Sequence, residues 1–505
     1  MELQNTQIIV FLALTALIAA VTYWYCRGAR SGPDGEQEYF LAGGSLKWYF
    51  VAGSITLTNL STDQLVGMNG NQMALLAWWE LAAVVGLMML CFVFIPVYYK
   101  FKCTTTTELL ERRYNNPHIR ALISILFLLG NIFIFLPAIL YGGSQFMISM
   151  FGLPDTKSVI PLMGEINPVI LYISVIFAIV GAAYAIFGGL RAVAVSDTFS
   201  GFLILGLAGL VTYLALKAIN FDFSGVPAER LTLIGAPDSD IPFATLFTGM
   251  LFIQMFYWST NQTITQRAMA SPTVKEAQKG IFAAAIIRLL IIPPIIVIPG
   301  IVAYKLYGRV ENDLAYGQIV GDILPTFLSG AFAAAIAAAI LTTFNSILNA
   351  SAALWVCDIH ETYFDKNPKV RQLSFWVSIV MVVLGLIMVP FFATQESLIN
   401  TVQKFYGLLS MPILSAFIVG LLFKNVNAYA MIIAVIFGVL LYGYFIDAWP
   451  SIEGKPNLAG GGYIHMMAVT LIASVTMALV INRLVFKQKA KWDAHTVFGK
   501  GEIEV

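Results

Sequence analysis

The sequence predicts an all-α polytopic membrane protein of about 13 transmembrane helices, ten of them forming a five-plus-five inverted repeat. Three observations carry that prediction. First, the 505 residues are 59% hydrophobic and only 11% charged, whereas soluble domains carry about 25% charged residues. The apolar residues fall in blocks of about 20 to 30, long enough to cross a hydrocarbon core of roughly 30 Å. Second, the basic residues divide unevenly between alternate loops. Third, a polar run inside one apolar block recurs five blocks later, in a segment that crosses the other way. A β-barrel would show short alternating segments instead.

Counted from zero, the blocks are helix 0 (7–26), helix 1 (47–67), helix 2 (73–99), helix 3 (119–150), helix 4 (167–189), helix 5 (192–217) and helix 6 (241–269). Helix 7 (276–306), helix 8 (319–359), helix 9 (372–393), helix 10 (400–423), helix 11 (426–448) and helix 12 (462–485) follow. The first block lacks the basic start and small-residue cleavage site of a signal peptide, so it reads as a retained helix. With the N-terminus outside, 21 of the 29 Lys and Arg residues lie on one face of the membrane and 7 on the other, with Arg288 left inside helix 7. Cytoplasmic loops hold the excess of positive charge, so the C-terminus is expected inside. In this count Arg267, at the end of helix 6, is a cytoplasmic loop cation. The expected division is a peripheral helix and loop (1–45), a first repeat of helices 1–5 (46–218), a second of helices 6–10 (219–425), and helices 11 and 12 with a tail (426–505).

The composition also excludes. Net charge is +1, so nothing implies nucleic acid, and no feature implies a protein partner; lipid is the expected surroundings. Cys26, Cys91, Cys103 and Cys357 have no spacing of a metal or redox motif, and the four histidines are scattered. No nucleophile elbow, phosphate loop or HExxH is present, so the chain does not read as an enzyme.

The polar runs are T-N-L-S-T-D-Q in helix 1 (58–64) and W-S-T-N-Q-T in helix 6 (258–263). Backbone at membrane depth leaves the helix only where it lines a protein cavity. Asn, Ser, Thr and Asp compete for backbone hydrogen bonds and favour such a break. A break frees carbonyls that suit a hard cation. Helix 1 is therefore expected to unwind near Asn59 and line a binding site; a polar stripe facing neighbouring helices is the alternative. In helix 8, nearly all residues from Ala333 to Ala339 are small, which allows close helix approach. Thr342 and Thr343 follow, about 100° apart on the helix. Their hydroxyls with helix 1 carbonyls would make an oxygen cage for sodium; back-bonding to the preceding turn is the alternative. Asp63, Glu80, Asp197 and Arg288 fall inside predicted spans, where each charge costs roughly 3 kcal/mol or more unless paired or hydrated.

EYFLAGGSLKW (38–48), SITLTNLSTDQLVGM (54–68), GGLRAVAVSD (188–197), FYWSTNQTITQR (256–267), EAQKG (276–280) and the Thr342-Thr343 pair followed by LNASAALWVCDI (348–359) resemble, in order and spacing, the solute:sodium symporter family. Within it, the chain is most similar to the bacterial sugar-transporting branch of the sodium/glucose cotransporters. The resemblance covers about residues 38–425. It implies a LeuT-type fold in a bacterial inner membrane, with sodium as the coupling ion. The sodium site it implies uses the backbone of Leu57, Leu60 and Ala339 and the hydroxyls of Thr342 and Thr343. Asp197, Thr342, Asn345 and Ser346 match a second sodium site of some relatives, although Asn345 departs from the usual hydroxyl. Gln64, Glu80, Gln254, Arg288 and Gln403 match sugar-binding positions. Tyr257 matches the aromatic that stacks on the sugar, with Asn59 as its hydrogen-bond partner, and Met68 and Trp79 match the outer gate. Gln254 and Arg288 replace asparagine and lysine. Arginine's planar fork of donors suits a carboxylate, so an acidic sugar such as a uronate is one expectation; binding hydroxyls or pairing with Glu80 is the other. The expected function is sodium symport of a small sugar by alternating access. The runner-up is another solute on the same scaffold, such as an amino acid, a carboxylate or a nucleobase.

Overall fold

The computed structural model describes residues 5–26, 36–154, 156–160, 164–446 and 460–494. The loop and tail positions Arg27, Arg30, Lys455, His495 and Lys500 lie outside the described residues.

Nine helices among the described residues are long and apolar enough to cross a membrane: Ala74–Lys100, Pro117–Phe151, Leu190–Ala218, Val274–Tyr307, Thr326–Tyr363, Val370–Ala393, Leu398–Leu422, Ala428–Phe445 and Tyr463–Leu484. They are predicted helices 2, 3, 5 and 7–12. Two shorter apolar helices, Ile9–Trp24 and Pro168–Ala182, correspond to helices 0 and 4. Helices 1 and 6 complete the predicted set, and neither is a single long helix, because both are broken in mid-course. Strand is confined to two short antiparallel pairs, Ser158–Ile160 with Gly164–Ile166 and Phe423–Lys424 with Lys491–Trp492.

Helix starts follow local chemistry. The side chains of Asn116, Asn167, Ser397 and Asn427 each accept a hydrogen bond from a backbone N–H of the turn they open. In the first two cases proline follows at the first helical position, where its missing N–H is harmless. Three boundaries differ from the predicted ones. Helix 6 begins at Gly249 rather than 241, because Pro242 starts a separate turn, Phe243–Phe247. Helix 8 begins at Thr326, because Pro325 parts it from a short helix, Ala315–Ile323. Predicted helices 4 and 5 fall in one continuous helical stretch, Pro168–Ala218, since no proline or polar cluster separates them. Its two parts still contact different partners. Ser174 bonds Ser144 of helix 3 at 2.9 Å, whereas a Cβ added at Gly201 would come within 2.3 Å of Leu57 in helix 1.

The core is a continuous apolar cluster running through all these helices. Helix 8 lies at its centre: every residue from Ala331 to Ile340 is buried. The outside carries Tyr172, Phe202, Trp376, Ile387, Leu440 and Ile472 exposed, a surface that water would not tolerate over so large an area and lipid does. Close approach of helix 2 to helix 6 fixes the site. A Cβ at Gly86 would sit 2.2 Å from the Gln254 carbonyl oxygen, so only glycine lets helix 2 approach helix 6 closely enough for the Trp79 carbonyl to accept from Gln254.

Candidate functional site

The polar runs are where the two helices break. Helix 1 runs Trp48–Asn59, leaves helical geometry at Leu60 (φ −80°, ψ 72°) and resumes as a widened turn, Asp63–Met68. Ser61 N–H donates to the Asn59 carbonyl at 3.0 Å, so the Leu57 carbonyl loses its helical donor. Helix 6 runs Gly249–Ser259, breaks at Thr260 and Asn261, and resumes as Gln262–Met269. Asn261 caps the second half by accepting from Thr263 N–H at 2.9 Å. The breaks are joined directly: Tyr257 Oη–H donates to Asn59 Oδ1 at 2.6 Å.

Two chambers meet at this bond. One, of ≈ 460 Å³, is lined by Gln64, Met68, Trp79, Glu80, Gln254 and Gln403. The other, of ≈ 440 Å³, is lined by Thr58, Ser61, Asn131, Thr263 and Thr343. Asn59, Asp63, Phe135, Tyr257 and Val402 line both and form the wall between them. Tyr257 stands edge-on to Tyr406, ring centroids 5.9 Å apart, and Tyr406 Oη accepts from Asn261 Nδ2 at 2.7 Å. Sequence reasoning missed Tyr406 and Trp258. Trp258 was signalled by its place in the helix 6 polar run; Tyr406 sits in an ordinary apolar block.

Eight of the predicted substrate and gate residues line the first chamber, and Arg288 does not. Arg288 is fully buried behind it, with Nη2 2.5 Å from Glu80 Oε2. Its Nη1 donates to the Thr56 carbonyl at 2.9 Å and its Nη2 to Gln64 Oε1 at 3.2 Å. The guanidinium carbon lies 4.6 Å from the centre of the Trp258 ring. Gln64 in turn donates to Glu80 Oε1. The fork that sequence reading offered to a substrate carboxylate is thus taken up by Glu80, the pairing named there as the other expectation. Gln254 is also engaged, donating to the Trp79 carbonyl at 2.6 Å and accepting from Trp258 Nε1 at 2.9 Å.

On the second chamber, Thr343 Oγ1 is buried and has no hydrogen-bond partner among the described residues. Thr342 Oγ1 donates to the Ala339 carbonyl at 3.2 Å, and Leu57 and Leu60 are buried. Thr342 thus back-bonds to the preceding turn, the alternative named for the pair, whereas Thr343 does not and leaves its hydroxyl free beside the helix 1 break. Around Asp197 the arrangement differs from the predicted second ion site. Asp197 Oδ2 accepts from Ser54 at 2.5 Å and Thr58 at 3.2 Å. Arg267 is not the loop cation of the charge count: it is fully buried, with Nη2 3.6 Å from Asp197 Oδ2. Its Nε donates to Ser54 Oγ at 2.7 Å, and Nη2 donates to Ser346 Oγ. A positive charge of the protein itself therefore sits between Asp197 and Ser346. Both amide atoms of Asn345 are buried without a hydrogen-bond partner among the described residues. Arg267 was legible as lying inside predicted helix 6, but a basic residue near a span end reads by default as a loop charge.

Comparison with known proteins agrees with this architecture. The profile of the Sodium:solute symporter family matches residues 39–438. An uncharacterized symporter of Escherichia coli strain K12, YidK, is 32% identical over 95% of this chain and 84% of its own. The sodium/glucose cotransporter of Vibrio parahaemolyticus is 27% identical over 94% of this chain and 91% of its own. Among solved structures, a substrate-bound, outward-open Na+-coupled sialic acid symporter superposes with a TM-score of 0.77 at 18% identity, covering 95% of this chain and 98% of that one. The fold is of the LeuT type, and the match spans both broken helices and both chambers. The chain belongs to the sodium:solute symporter family and is a multi-pass, sodium-coupled transporter rather than an enzyme.

Proposed function

We propose that the protein carries a non-acidic sugar or related polyol into the cell together with one sodium ion, with its N-terminus outside, its C-terminus in the cytoplasm and a bacterial inner membrane around it. The observation that carries this reading is the Tyr257 wall. A chamber of amide, carboxylate and indole groups lies on one side of it, and a chamber holding the orphaned Thr343 hydroxyl lies on the other. An aromatic face suits the C–H face of a sugar ring, and the surrounding amides suit its hydroxyls. Sodium is hard and takes oxygen ligands; the Leu57, Leu60 and Ala339 carbonyls with the Thr342 and Thr343 hydroxyls are the proposed set. Occupation of that set would hold helix 1 against helix 8, and so place Asn59 to bond Tyr257 across the substrate.

Two buried pairs support the stoichiometry and a substrate without a carboxylate. Glu80 neutralises Arg288, so among the described residues lining the first chamber no free cation is left for a substrate carboxylate. Arg267 occupies the space beside Asp197 where a second sodium would sit. One charge crossing 100 mV yields about 2.3 kcal/mol, and a tenfold sodium gradient about 1.4. One sodium with a neutral sugar thus sustains accumulation of several hundredfold, whereas one sodium with a monoanion moves no net charge and sustains only about tenfold.

The test is uptake into proteoliposomes under an imposed sodium gradient, with and without a membrane potential, for neutral sugars, cyclitols and uronates. Electrogenic, sodium-dependent uptake of a neutral member with one charge per solute supports the reading. Uptake of a uronate alone, or of no sugar while an amino acid or nucleobase is carried, overturns it.

A further inference from the structure

The four ionisable side chains singled out in the sequence, Asp63, Glu80, Asp197 and Arg288, lie at the site, and three of them have partners of opposite charge. Glu80 is paired with Arg288 and Asp197 with Arg267. The fourth, Asp63, has no Lys, Arg or His within 4 Å among the described residues; its carboxylate accepts from the Ser61 hydroxyl, two residues away, and from the backbone N–H groups at Asp63 and Gln64. Asp63 lies at the start of the turn that follows the helix 1 break, is half-buried, and lines both chambers. The other charges of the first chamber cancel, so its net formal charge is −1. A carboxylate at membrane depth is costly unless it is hydrated or paired. Asp63 faces the proposed substrate chamber on one side and the chamber proposed for sodium on the other.

We propose that Asp63 sets the charge selectivity of the substrate chamber, favouring sugars that carry a protonated amine and rejecting those that carry a carboxylate. This deepens the sugar reading above and rests on it. An ammonium group beside Asp63 gains a charge-assisted hydrogen bond, roughly twice as strong as a neutral one. A uronate brings a second negative charge into the same enclosed space. Arg288 cannot relieve it, because its guanidinium is already held by Glu80, Gln64 and the Thr56 carbonyl.

The test uses purified full-length protein in saturating sodium and competition binding with two matched sets: glucose, glucosamine and glucuronate, and galactose, galactosamine and galacturonate. The wild type should bind in the order amino sugar, neutral sugar, uronate, each step about tenfold, the scale of one charge-assisted contact. Asp63→Asn should compress that range to about threefold by weakening the amino sugar and strengthening the uronate, while Asp63→Glu should restore the order. A wild type that binds the uronate as well as the amino sugar overturns the proposal without any variant. So does an Asp63→Asn protein whose charge order is unchanged. A raised half-saturating sodium concentration with intact sugar ratios assigns the carboxylate to the ion instead and also overturns it. If the wild type binds no member of either set, the sugar reading itself falls, and this inference with it. Binding of the neutral sugar with no charge order leaves the sugar reading standing and removes only the role of Asp63.

Discussion

The Glu80–Arg288 pair offers the sharpest test of how this site is held together. Both side chains are essentially without solvent contact, at 1% and 0% exposure, and the facing atoms are 2.5 Å apart. Two unit charges about 4 Å apart interact by about 4 kcal/mol at an effective dielectric of 20. Removing one partner leaves the other charge buried and uncompensated, which costs about 3–5 kcal/mol. Glu80→Gln keeps the shape and the contact with Gln64 but leaves the guanidinium unpaired, so it should destabilise by that amount. Arg288→Met should cost a similar amount, plus its bonds to the Thr56 carbonyl and Gln64. The double variant should be much less destabilised than the sum of the two, because no buried charge is then left uncompensated. A coupling energy of at least about 2 kcal/mol is expected, measured by denaturation of the purified proteins in detergent. If the two single effects add to within about 0.5 kcal/mol, as they do for independent sites, the pair does not act as a unit and the neutralised-chamber reasoning fails.

Four further outcomes follow from the same geometry. Thr342→Ala and Thr343→Ala each remove a hydroxyl from the proposed sodium set, so half-saturating sodium should rise severalfold in uptake assays, and most in the double variant. Tyr257→Phe keeps the ring but loses the 2.6 Å bond to Asn59, so transport should fall in part, whereas Tyr257→Ala should abolish it. Arg267→Ala leaves Asp197 buried without its cation, so the variant should be destabilised by about 3–5 kcal/mol in sodium-free buffer, and rising sodium should recover part of that loss and steepen the sodium dependence of uptake. Burial raises the Asp313 carboxyl, in the segment between helices 7 and 8, to about 7. Its folded form then holds a proton that the unfolded chain has lost above about pH 4. Stability from this group is complete below about pH 4 and falls as pH rises to about 7, by up to about 4 kcal/mol. Asp313→Asn should flatten that dependence and melt higher than the wild type at pH 8.

The distribution of apolar blocks made the spans legible, because lipid leaves the backbone little choice but helix. The two breaks were legible for the complementary reason: T-N-L-S-T-D-Q and W-S-T-N-Q-T are too polar for lipid and rich in side chains that compete for backbone bonds. Misplaced boundaries came from single residues, Pro242 and Pro325, whose weight was lost inside long apolar windows. What the sequence could not show was which charges meet. Glu80 and Arg288 are 208 positions apart and Asp197 and Arg267 are 70 apart. No local pattern reports such a pairing, so Arg288 read as either a ligand for substrate or a partner of Glu80, and Arg267 as a loop charge.

Those two pairings give the mechanism its physical basis. Arg288 reaches from helix 7 to the Thr56 carbonyl in the turn just before the helix 1 break and to Glu80 on helix 2. Arg267 reaches from the second half of helix 6 to Ser54 and Asp197, and on to Ser346 of helix 8. Each guanidinium therefore fixes one end of a broken helix to unbroken neighbours, which confines the remaining freedom to the short non-helical stretches at Leu60–Thr62 and Thr260–Asn261. The Tyr257–Asn59 bond spans those two stretches, and Thr343 and the Leu57 carbonyl stand beside them. An ion that pulls the first stretch toward helix 8 cannot do so without moving Asn59, and hence the wall between the chambers. With sodium at the proposed Thr343 site, coupling to substrate would need no longer pathway than that one hydrogen bond and the ring behind it.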